Sequence, residues 1–149
     1  MNWLYKGEVY NPDKVEHYGF IYEITFEDGD GNLFYYLGKK NMVSEIEVDA
    51  RKDDKPREGH YAFVNRNRNG KRTKRELLRK ENRGWKKYLG SSKETEDLIP
   101  IQKEILEFAE TKRQLTYLEC KYLFSRNCIE DEKYLNKNIL KRFFRDNLV

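Results

Sequence analysis

Two short aromatic segments flank a dense run of turn-forming residues near the start of this 149-residue chain. Residues 18–26 carry large apolar side chains at every second position, which is the period of a β-strand. The sequence EDGDGN at residues 27–32 is a strong turn signal, and residues 33–37 resume the apolar pattern. We therefore predict a β-hairpin. A core that begins with a hairpin requires the fold to contain a β-sheet.

The length of the turn sets which side chains face each other. A loop centred on Gly29 pairs Tyr22 with Tyr36, so that their rings share one face of the hairpin. A two-residue turn at Gly29 and Asp30 pairs Tyr36 with Glu23 instead. In both registers the two tyrosines are neighbours.

The remainder of the chain reads as a mixture of short strands and helices. Residues 1–17 are predicted to be irregular, 46–48 a short strand, 61–64 a strand or helix entry, and 65–70 a loop. Capping-box patterns at 73–76 and 91–94 predict two helices, the first ending at Gly84. Ile101, Ile105, Phe108 and Ala109 fit one helical face, and further helices are predicted at about 115–126 and 138–145. This order predicts an α+β fold, with a small antiparallel sheet that starts with a hairpin and is flanked by helices.

The positive charge is concentrated in one segment. The chain has 30 Lys and Arg against 26 Asp and Glu, for a net charge of +4. Residues 66–87 hold eleven basic residues and only Glu76 and Glu81 as acids, so this segment is +9 and the rest of the chain is −5. Such a block indicates a phosphate-backbone partner, although it also fits a solvated, charge-rich surface. The candidate nucleic-acid-binding residues here are Arg66, Arg68, Lys71, Arg72, Lys74 and Arg75.

Several other classes of protein are disfavoured. No window approaches 18 consecutive apolar residues, and the first residues lack the features of a signal peptide, so we expect a cytoplasmic protein without a membrane partner. Cys120 and Cys128, with His17 and His60, have no recognised zinc spacing. We therefore expect two reduced thiols and no zinc.

Five short motifs, in order, resemble the GIY-YIG nuclease family. Phe-Ile-Tyr at residues 20–22 and Tyr-Leu-Gly at 36–38 stand for its two namesake tripeptides. Trp-Lys-Lys-Tyr-Leu-Gly-Ser-Ser at 85–92, Leu-Glu-Cys-Lys at 118–121 and Tyr-Leu-Asn at 134–136 follow. Their order is similar to that of small phage-encoded homing members, and the resemblance covers about residues 18–140.

The resemblance implies metal-dependent phosphodiester hydrolysis and a role for each motif residue. Tyr22 would be the general base or the water-positioning group, and Tyr36 would hold the water or the phosphate. Glu119 would bind the single divalent cation, Mg²⁺ or Mn²⁺. Tyr88 would be the family's His/Tyr member and Asn136 its late asparagine.

Two lysines directly after the second tripeptide fit this chemistry. A tyrosine with a pKa near 10 is a poor base at neutral pH, so it needs cationic neighbours. Lys39 and Lys40 supply such charges within the hairpin, with Lys40 as the catalytic candidate and Lys39 facing the nucleic acid. A lone carboxylate suits Mg²⁺, which keeps much of its hydration.

The sequence departs from the family pattern at two points. The glycine of the first tripeptide stands one place early, at Gly19. The family's arginine, expected about ten residues beyond the second tyrosine, is replaced there by Glu45 and Ile46. Its substitute remains open among Lys40, Arg51, Arg57 and Arg83.

Each of these residues also has a purely structural interpretation. Tyr22, Tyr36 and Tyr88 could be packed core aromatics, Glu119 a solvated helix residue, and Asn136 a turn or cap residue. The sequence therefore predicts a single GIY-YIG-like domain over 1–149 with a basic insertion at about 43–87. It would be a phage homing-type endonuclease acting on double-stranded DNA in the host cytoplasm.

Two other functions stay open: a non-catalytic nucleic-acid-binding module on the same scaffold, and a protein-interaction factor. Target specificity would come from residues 43–87, a partner protein or a homodimer.

Overall fold

A computed structural model describes residues 1–50, 60–90 and 92–148. The chain divides into two compact units, Met1–Met42 with Arg83–Val149, and Val43–Asn82. The second unit falls within the stretch predicted as a basic insertion, and its origin as an insertion stays a prediction. Mostly antiparallel sheets and two helices make up the predicted α+β fold. In the part of the chain that the structure describes, no helix is long and apolar enough to cross a membrane.

The elements follow one another in the order strands, one helix, then a short C-terminal hairpin and helix. In chain order the strands are β1 (Trp3–Tyr5), β2 (Glu8–Val9), β3 (Gly19–Glu27), β4 (Leu33–Asn41), β5 (Val43–Asp49), β6 (His60–Arg68), β7 (Lys71–Glu81), β8 (Ile99–Ala109), β9 (Asn138–Ile139) and β10 (Phe143–Phe144). The helices are α1 (Lys112–Ser125) and α2 (Arg145–Leu148), and 3-10 helices lie at Arg83–Lys87 and Lys93–Thr95.

The first unit contains a five-stranded sheet in the order β2-β1-β8-β3-β4. The predicted hairpin is confirmed as β3 and β4, but its predicted registers are wrong. Tyr22 lies opposite Gly38 and Tyr36 lies opposite Ile24. The reason is a longer turn, because the Asp28 carboxylate accepts hydrogen bonds from the backbone N–H groups of Asp30 and Asn32, at 2.9 and 2.8 Å.

Helix α1 packs against β3, β4 and β8 over the start of the hairpin. Thr111 caps its N-terminus by accepting a hydrogen bond from the Gln114 N–H, and Leu115, Leu118 and Leu123 form its buried face. The helix approaches closely because position 19 is glycine: a Cβ there would lie 2.9 Å from Leu115 Cδ2 and 2.6 Å from the Lys40 carbonyl oxygen. The displaced glycine of the first tripeptide therefore has a packing role. The helix predicted at about 115–126 is confirmed.

One core cluster of this unit packs on the sheet face that carries Phe20, Tyr22 and Ile24, opposite the face covered by α1. Its buried members are Trp3, Phe20, Tyr22, Ile24, Phe26, Met42, Trp85 and Ile105. The predicted irregular lead-in is partly wrong, since Trp3 lies on strand β1, which pairs in parallel with β8. A short amphipathic segment paired at a sheet edge leaves little periodicity to detect in the sequence.

The second unit is a three-stranded antiparallel sheet in the order β5-β7-β6. The short strand at 46–48 is confirmed within β5, and residues 61–64 lie in strand β6. The helix predicted from the capping box at 73–76 is wrong, because these residues lie in β7, the central strand. Ladders on both sides supply β7 with backbone hydrogen bonds, and such pairing outweighs a four-residue local signal. The loop predicted at 65–70 is strand up to Arg68, with the turn at Asn69 and Gly70.

The helix predicted through residues 101–109 is also wrong, since β8 occupies this stretch. The buried positions are Lys103, Ile105 and Ala109, and register shifts against β3 interrupt the simple alternation. These irregularities made the apolar spacing resemble a helical face. Ser91, the first residue of the second capping box, lies outside the described residues.

The C-terminal helix predicted at 138–145 is replaced by the hairpin β9–β10 followed by α2. Leu140 and Lys141 both have a φ of 54°, which suits the tight turn of a hairpin and not a helix. Arg145 then donates to the backbone carbonyls of Cys128, Asp131, Tyr134 and Asn136 at 2.7 to 3.2 Å. It thereby fixes the loop that carries Asn136.

Candidate active site

Tyr22 lies at the centre of an aromatic cluster in the first unit. Its side chain is 2% exposed, and its ring centroid lies 5.4 Å from Trp3, 5.8 Å from Tyr88 and 6.5 Å from Tyr36. Burial raises the pKa of Tyr22 well above its usual value, and a hydrogen bond with the Tyr88 side chain raises it further. The Tyr22 hydroxyl therefore keeps its proton at neutral pH and acts as a hydrogen-bonding group.

The glycine of the second tripeptide makes room for this tyrosine. A Cβ atom at Gly38 would lie 2.5 Å from the Tyr22 hydroxyl oxygen and 2.7 Å from Cζ. Any larger residue would push the ring out of its place between Trp3 and Tyr88. The Tyr-Leu-Gly motif thus has a steric basis that links it directly to the first motif.

Tyr36 lies diagonally across the hairpin from Tyr22, on the same face. The prediction that the two rings share a face is confirmed. Burial raises the pKa of Tyr36, and the nearby charges of Glu119 and Glu94 raise it as well. Glu94, in the 3-10 helix at Lys93–Thr95, was not a sequence candidate.

Tyr88 links the hairpin to a cation. It follows the 3-10 helix Arg83–Lys87, and the Lys40 ammonium lies 4.3 Å from the centroid of its ring. A cation over a tyrosine ring is attracted by the ring quadrupole. The Lys40 ammonium is therefore held against one of the two hydrogen-bonded tyrosines.

Glu119 projects from α1 towards the same cluster. Its side chain is 20% exposed, and its charge acts on the hydroxyls of both Tyr22 and Tyr36. Burial raises the pKa of Glu119, although the nearby Lys39 ammonium opposes this shift. Lys39 Nζ lies 3.8 Å from Glu119 Oε1 and donates to Thr116 Oγ1 at 3.1 Å.

Asn136 has a different position, at the outer edge of β4. Its Oδ1 accepts from the Leu37 N–H at 3.0 Å, and its Nδ2 donates to the Leu37 carbonyl at 2.7 Å. The side chain is buried and takes the place of a neighbouring strand. This geometry supports the structural interpretation of Asn136, since both ends of the amide hold the strand between Tyr36 and Gly38.

Among the described residues, the structure favours one candidate for the residue that replaces the family's arginine. Arg51 and Arg57 lie outside them, and Arg83 is an exposed residue at the start of its 3-10 helix. Lys40 is the candidate that contacts the tyrosine cluster. It is the cation that the geometry favours.

A single divalent cation fits the donor set of this cluster. Within the described part of the chain, no group of three or more His, Cys, Asp and Glu side chains could hold a metal. Glu119 offers a half-buried carboxylate beside tyrosine hydroxyls, which leaves most of the coordination to water and substrate. Mg²⁺ and Mn²⁺ accept such oxygen-rich, partly hydrated sites.

Sequence reasoning missed a buried lysine that supports Tyr88. Lys103 on β8 is 1% exposed, and its ammonium donates to the carbonyls of Lys86 and Tyr88 at 2.9 and 3.1 Å. The ammonium also lies 4.5 Å from the Trp3 ring, and the Trp3 indole donates to the Trp85 carbonyl at 2.7 Å. A lysine within an apolar run was the available signal, but the interpretation of this stretch as a helix gave the lysine no role.

The predicted nucleic-acid-binding residues other than Lys39 lie in the second unit, and they differ in whether they form ion pairs. Arg66 contacts Glu47 at 2.5 Å, and Arg75 pairs with Asp49 and Glu47. Strand β5 thus brings acids from outside the basic segment. Lys71 and Arg72 are exposed near the β6–β7 turn, and Lys74 lies 3.9 Å from the Phe63 ring. The Arg68 side chain lies outside the described part.

One family model accounts for nearly the whole chain. The model described as "Putative endonuclease segE, GIY-YIG domain" matches residues 3–139. The match includes both tripeptides, Tyr88, Glu119 and Asn136. No curated protein and no solved structure matches the chain.

Proposed function

The chain belongs to the GIY-YIG endonuclease family, and on this premise we propose that it is a metal-dependent, homing-type endonuclease that hydrolyses phosphodiester bonds in double-stranded DNA. Family membership carries endonuclease activity on DNA at the general level. Metal dependence, the duplex substrate, the homing type and action in a host cytoplasm are parts of the proposal.

One observation supports the catalytic assignment above all. Four separate segments of the first unit meet around Tyr22. Its ring packs near those of Tyr36 and Tyr88. The Lys40 ammonium lies over the Tyr88 ring, and the charge of Glu119 acts on Tyr22 and Tyr36. Keeping the Glu119 carboxylate half-buried, where its charge acts on the hydroxyls of Tyr22 and Tyr36, lowers its hydration, which costs stability. The Lys39 ammonium, 3.8 Å from the carboxylate, offsets part of this cost, and a bound divalent cation would offset more of it.

Three residues of the chain have separate proposed roles toward the metal ion and the DNA phosphate. Glu119 would hold one Mg²⁺ or Mn²⁺, and such an ion supplies Lewis-acid stabilisation of charge on a phosphate. Lys40 brings a fixed positive charge to the phosphate oxygens, supported by the Tyr88 ring. Lys39 lies beside Glu119, where it offsets the carboxylate's charge and can contact DNA.

The raised pKa of Tyr22 favours one of its two proposed roles. A phenol that keeps its proton more tightly than free tyrosine is a weaker acid, and it does not supply a resting phenolate. We assign Tyr22 to orienting the attacking water or a phosphate oxygen through its hydroxyl. Tyr36, less deeply buried, is assigned to the same water or phosphate from the neighbouring strand.

The proposal is tested by incubating the purified protein with supercoiled plasmid and with phage genomic DNA. Separate reactions contain Mg²⁺, Mn²⁺ or EDTA, and the products are resolved on agarose gels. We expect nicked or linear products with a divalent cation and none with EDTA. DNA binding without cleavage under all three conditions would overturn the proposal in favour of a binding module.

A further inference from the structure

An open groove on the outer side of α1 is not used by the catalytic cluster. It measures about 600 Å³ and is lined by Lys112, Arg113, Thr116, Tyr117, Cys120 and Leu140. We propose that this groove binds the phosphate backbone of duplex DNA next to the cleavage point. The inference rests on the proposed function and gives the first unit a DNA-binding surface of its own.

The charge of the groove fits an anionic partner. Lys112 and Arg113 are exposed, and the lining contains no carboxylate. Among the described residues neither cation forms an ion pair with an acid. Their charges are therefore available to phosphates, and each phosphate contact would release counterions from the DNA.

Most of the groove surface is apolar, and two hydroxyl groups in its lining supply hydrogen-bonding groups for the same partner. Tyr117 is 67% exposed, although it lies on a helix whose opposite face buries three leucines. Thr116 adds a second hydroxyl at the neighbouring position. Hydroxyls of threonine and tyrosine, together with lysine and arginine, are common contacts to DNA phosphates and sugars.

The groove is continuous with the candidate active site. Thr116 accepts a hydrogen bond from Lys39, which also lies beside Glu119. Thr116 and Glu119 are three residues apart on α1, so they project from adjacent positions on the helix surface. A DNA strand with its scissile phosphate at Glu119 would have neighbouring phosphates within reach of Lys112 and Arg113.

The test measures the salt dependence of binding to a fluorescently labelled duplex in EDTA, where no cleavage is expected. The double variant Lys112→Gln/Arg113→Gln is compared with Lys6→Gln/Lys14→Gln, which removes two exposed lysines of the same unit outside the groove. We expect the slope of log K against log salt to flatten by about 0.9 for each phosphate that the groove variant no longer neutralises. The control variant should keep the wild-type slope.

A charge-neutral variant separates hydrogen bonding from electrostatics. Tyr117→Ser should weaken binding while leaving the salt slope as in the wild type, because the substitution removes no cation. Thermal melts should match for all variants, since the substituted side chains are exposed.

The outcomes separate the two proposals. If the wild type cleaves DNA but the groove variant has the slope of the control variant, the proposed DNA-binding role of the groove is wrong and the proposed nuclease activity is supported. If the groove variant loses slope and affinity but the wild type never cleaves, the groove stands and the nuclease is overturned. A wild type that neither binds nor cleaves DNA overturns both.

Discussion

The proposed role of the Tyr22 hydroxyl in cleavage can be tested by removing a single oxygen atom. Tyr22→Phe removes this oxygen and keeps the buried ring that packs against Trp3 and Tyr88. We expect the cleavage rate to fall on the order of 10²–10³-fold, as on removal of one positioned hydrogen-bond donor, while the thermal melt changes little. The matched control is Tyr122→Phe, which removes a hydroxyl that donates to Glu107 at 3.0 Å outside the cluster. Equal rates for both variants would return Tyr22 to a packing role.

Gly38 tests the steric link between the two tripeptides. Gly38→Ala places a methyl group 2.5 Å from the Tyr22 hydroxyl oxygen, and the ring has no free space to move into. We expect a loss of about 1–3 kcal/mol in the free energy of unfolding, as for other overpacked cores. Cleavage should be lost at temperatures where the variant is still folded. The control is Gly29→Ala, because a Cβ there meets no atom within 4 Å.

Single elements show how far the sequence was informative. The hairpin and α1 were predictable, since alternation, turn residues and a leucine face are local signals. The registers were not, because the side chain of Asp28 lengthens the turn by capping it. Strands β7 and β8 were mistaken for helices, since both are central strands whose pairing is not local. Strand β8 pairs with the distant β1 and β3, and β7 pairs with β5 as well as with the adjacent β6.

The candidate site likewise contains residues that the sequence predicted and contacts that it did not. Tyr22, Tyr36, Tyr88 and Glu119 were found because motifs carry them, and Lys40 because it follows a motif directly. The support of Tyr88 by Lys103 depends on the pairing of β8 with β1 and β3, which local sequence does not encode. The clamping of Leu37 by Asn136 likewise requires the folded loop that Arg145 fixes.

Strand β8 makes a prediction through Lys103, a positioning residue for Tyr88. Lys103→Met keeps an unbranched buried side chain but leaves the carbonyls of Lys86 and Tyr88 without this donor. We expect a loss of about 1–3 kcal/mol in the free energy of unfolding. The cleavage rate should fall with no change in DNA affinity, because Tyr88 is less firmly placed. A changed stability with an unchanged rate would limit Lys103 to a structural role.

For the whole molecule, the second unit is predicted to add DNA affinity. Neutralising Arg66, Arg68, Lys71 and Arg72 together should weaken duplex binding and flatten its salt dependence, by up to roughly 0.9 for each phosphate that is no longer neutralised. The control is Arg75→Gln/Arg79→Gln, since both arginines lie beside acids of β5, whereas Lys71 and Arg72 of the fourfold variant are exposed near the β6–β7 turn. We expect a smaller change in slope for that variant, measured by anisotropy. An unchanged slope in the fourfold variant would place the DNA elsewhere.

Glu119 is predicted to make the thermal stability of the whole protein depend on pH. A raised carboxyl pKa means that the folded state holds the proton more tightly than the unfolded chain. The stability linked to this proton is present below the ordinary value of 4.5 and is lost as the pH rises through the folded pKa. In EDTA, Glu119→Gln should therefore melt above the wild type near neutral pH, with the difference shrinking as the pH falls towards 4.5. Equal melting curves at every pH would contradict the buried charge.

The cleavage of duplex DNA by Glu119→Gln, followed over a series of Mg²⁺ concentrations, tests the central claim most directly. The variant keeps the size and hydrogen bonding of the side chain but removes the charge that holds the cation. We predict no cleavage at any Mg²⁺ concentration that supports the wild type, with duplex binding in EDTA retained or tightened. Cleavage at the wild-type rate at low Mg²⁺ would contradict the account, because the cation would then be held by other residues.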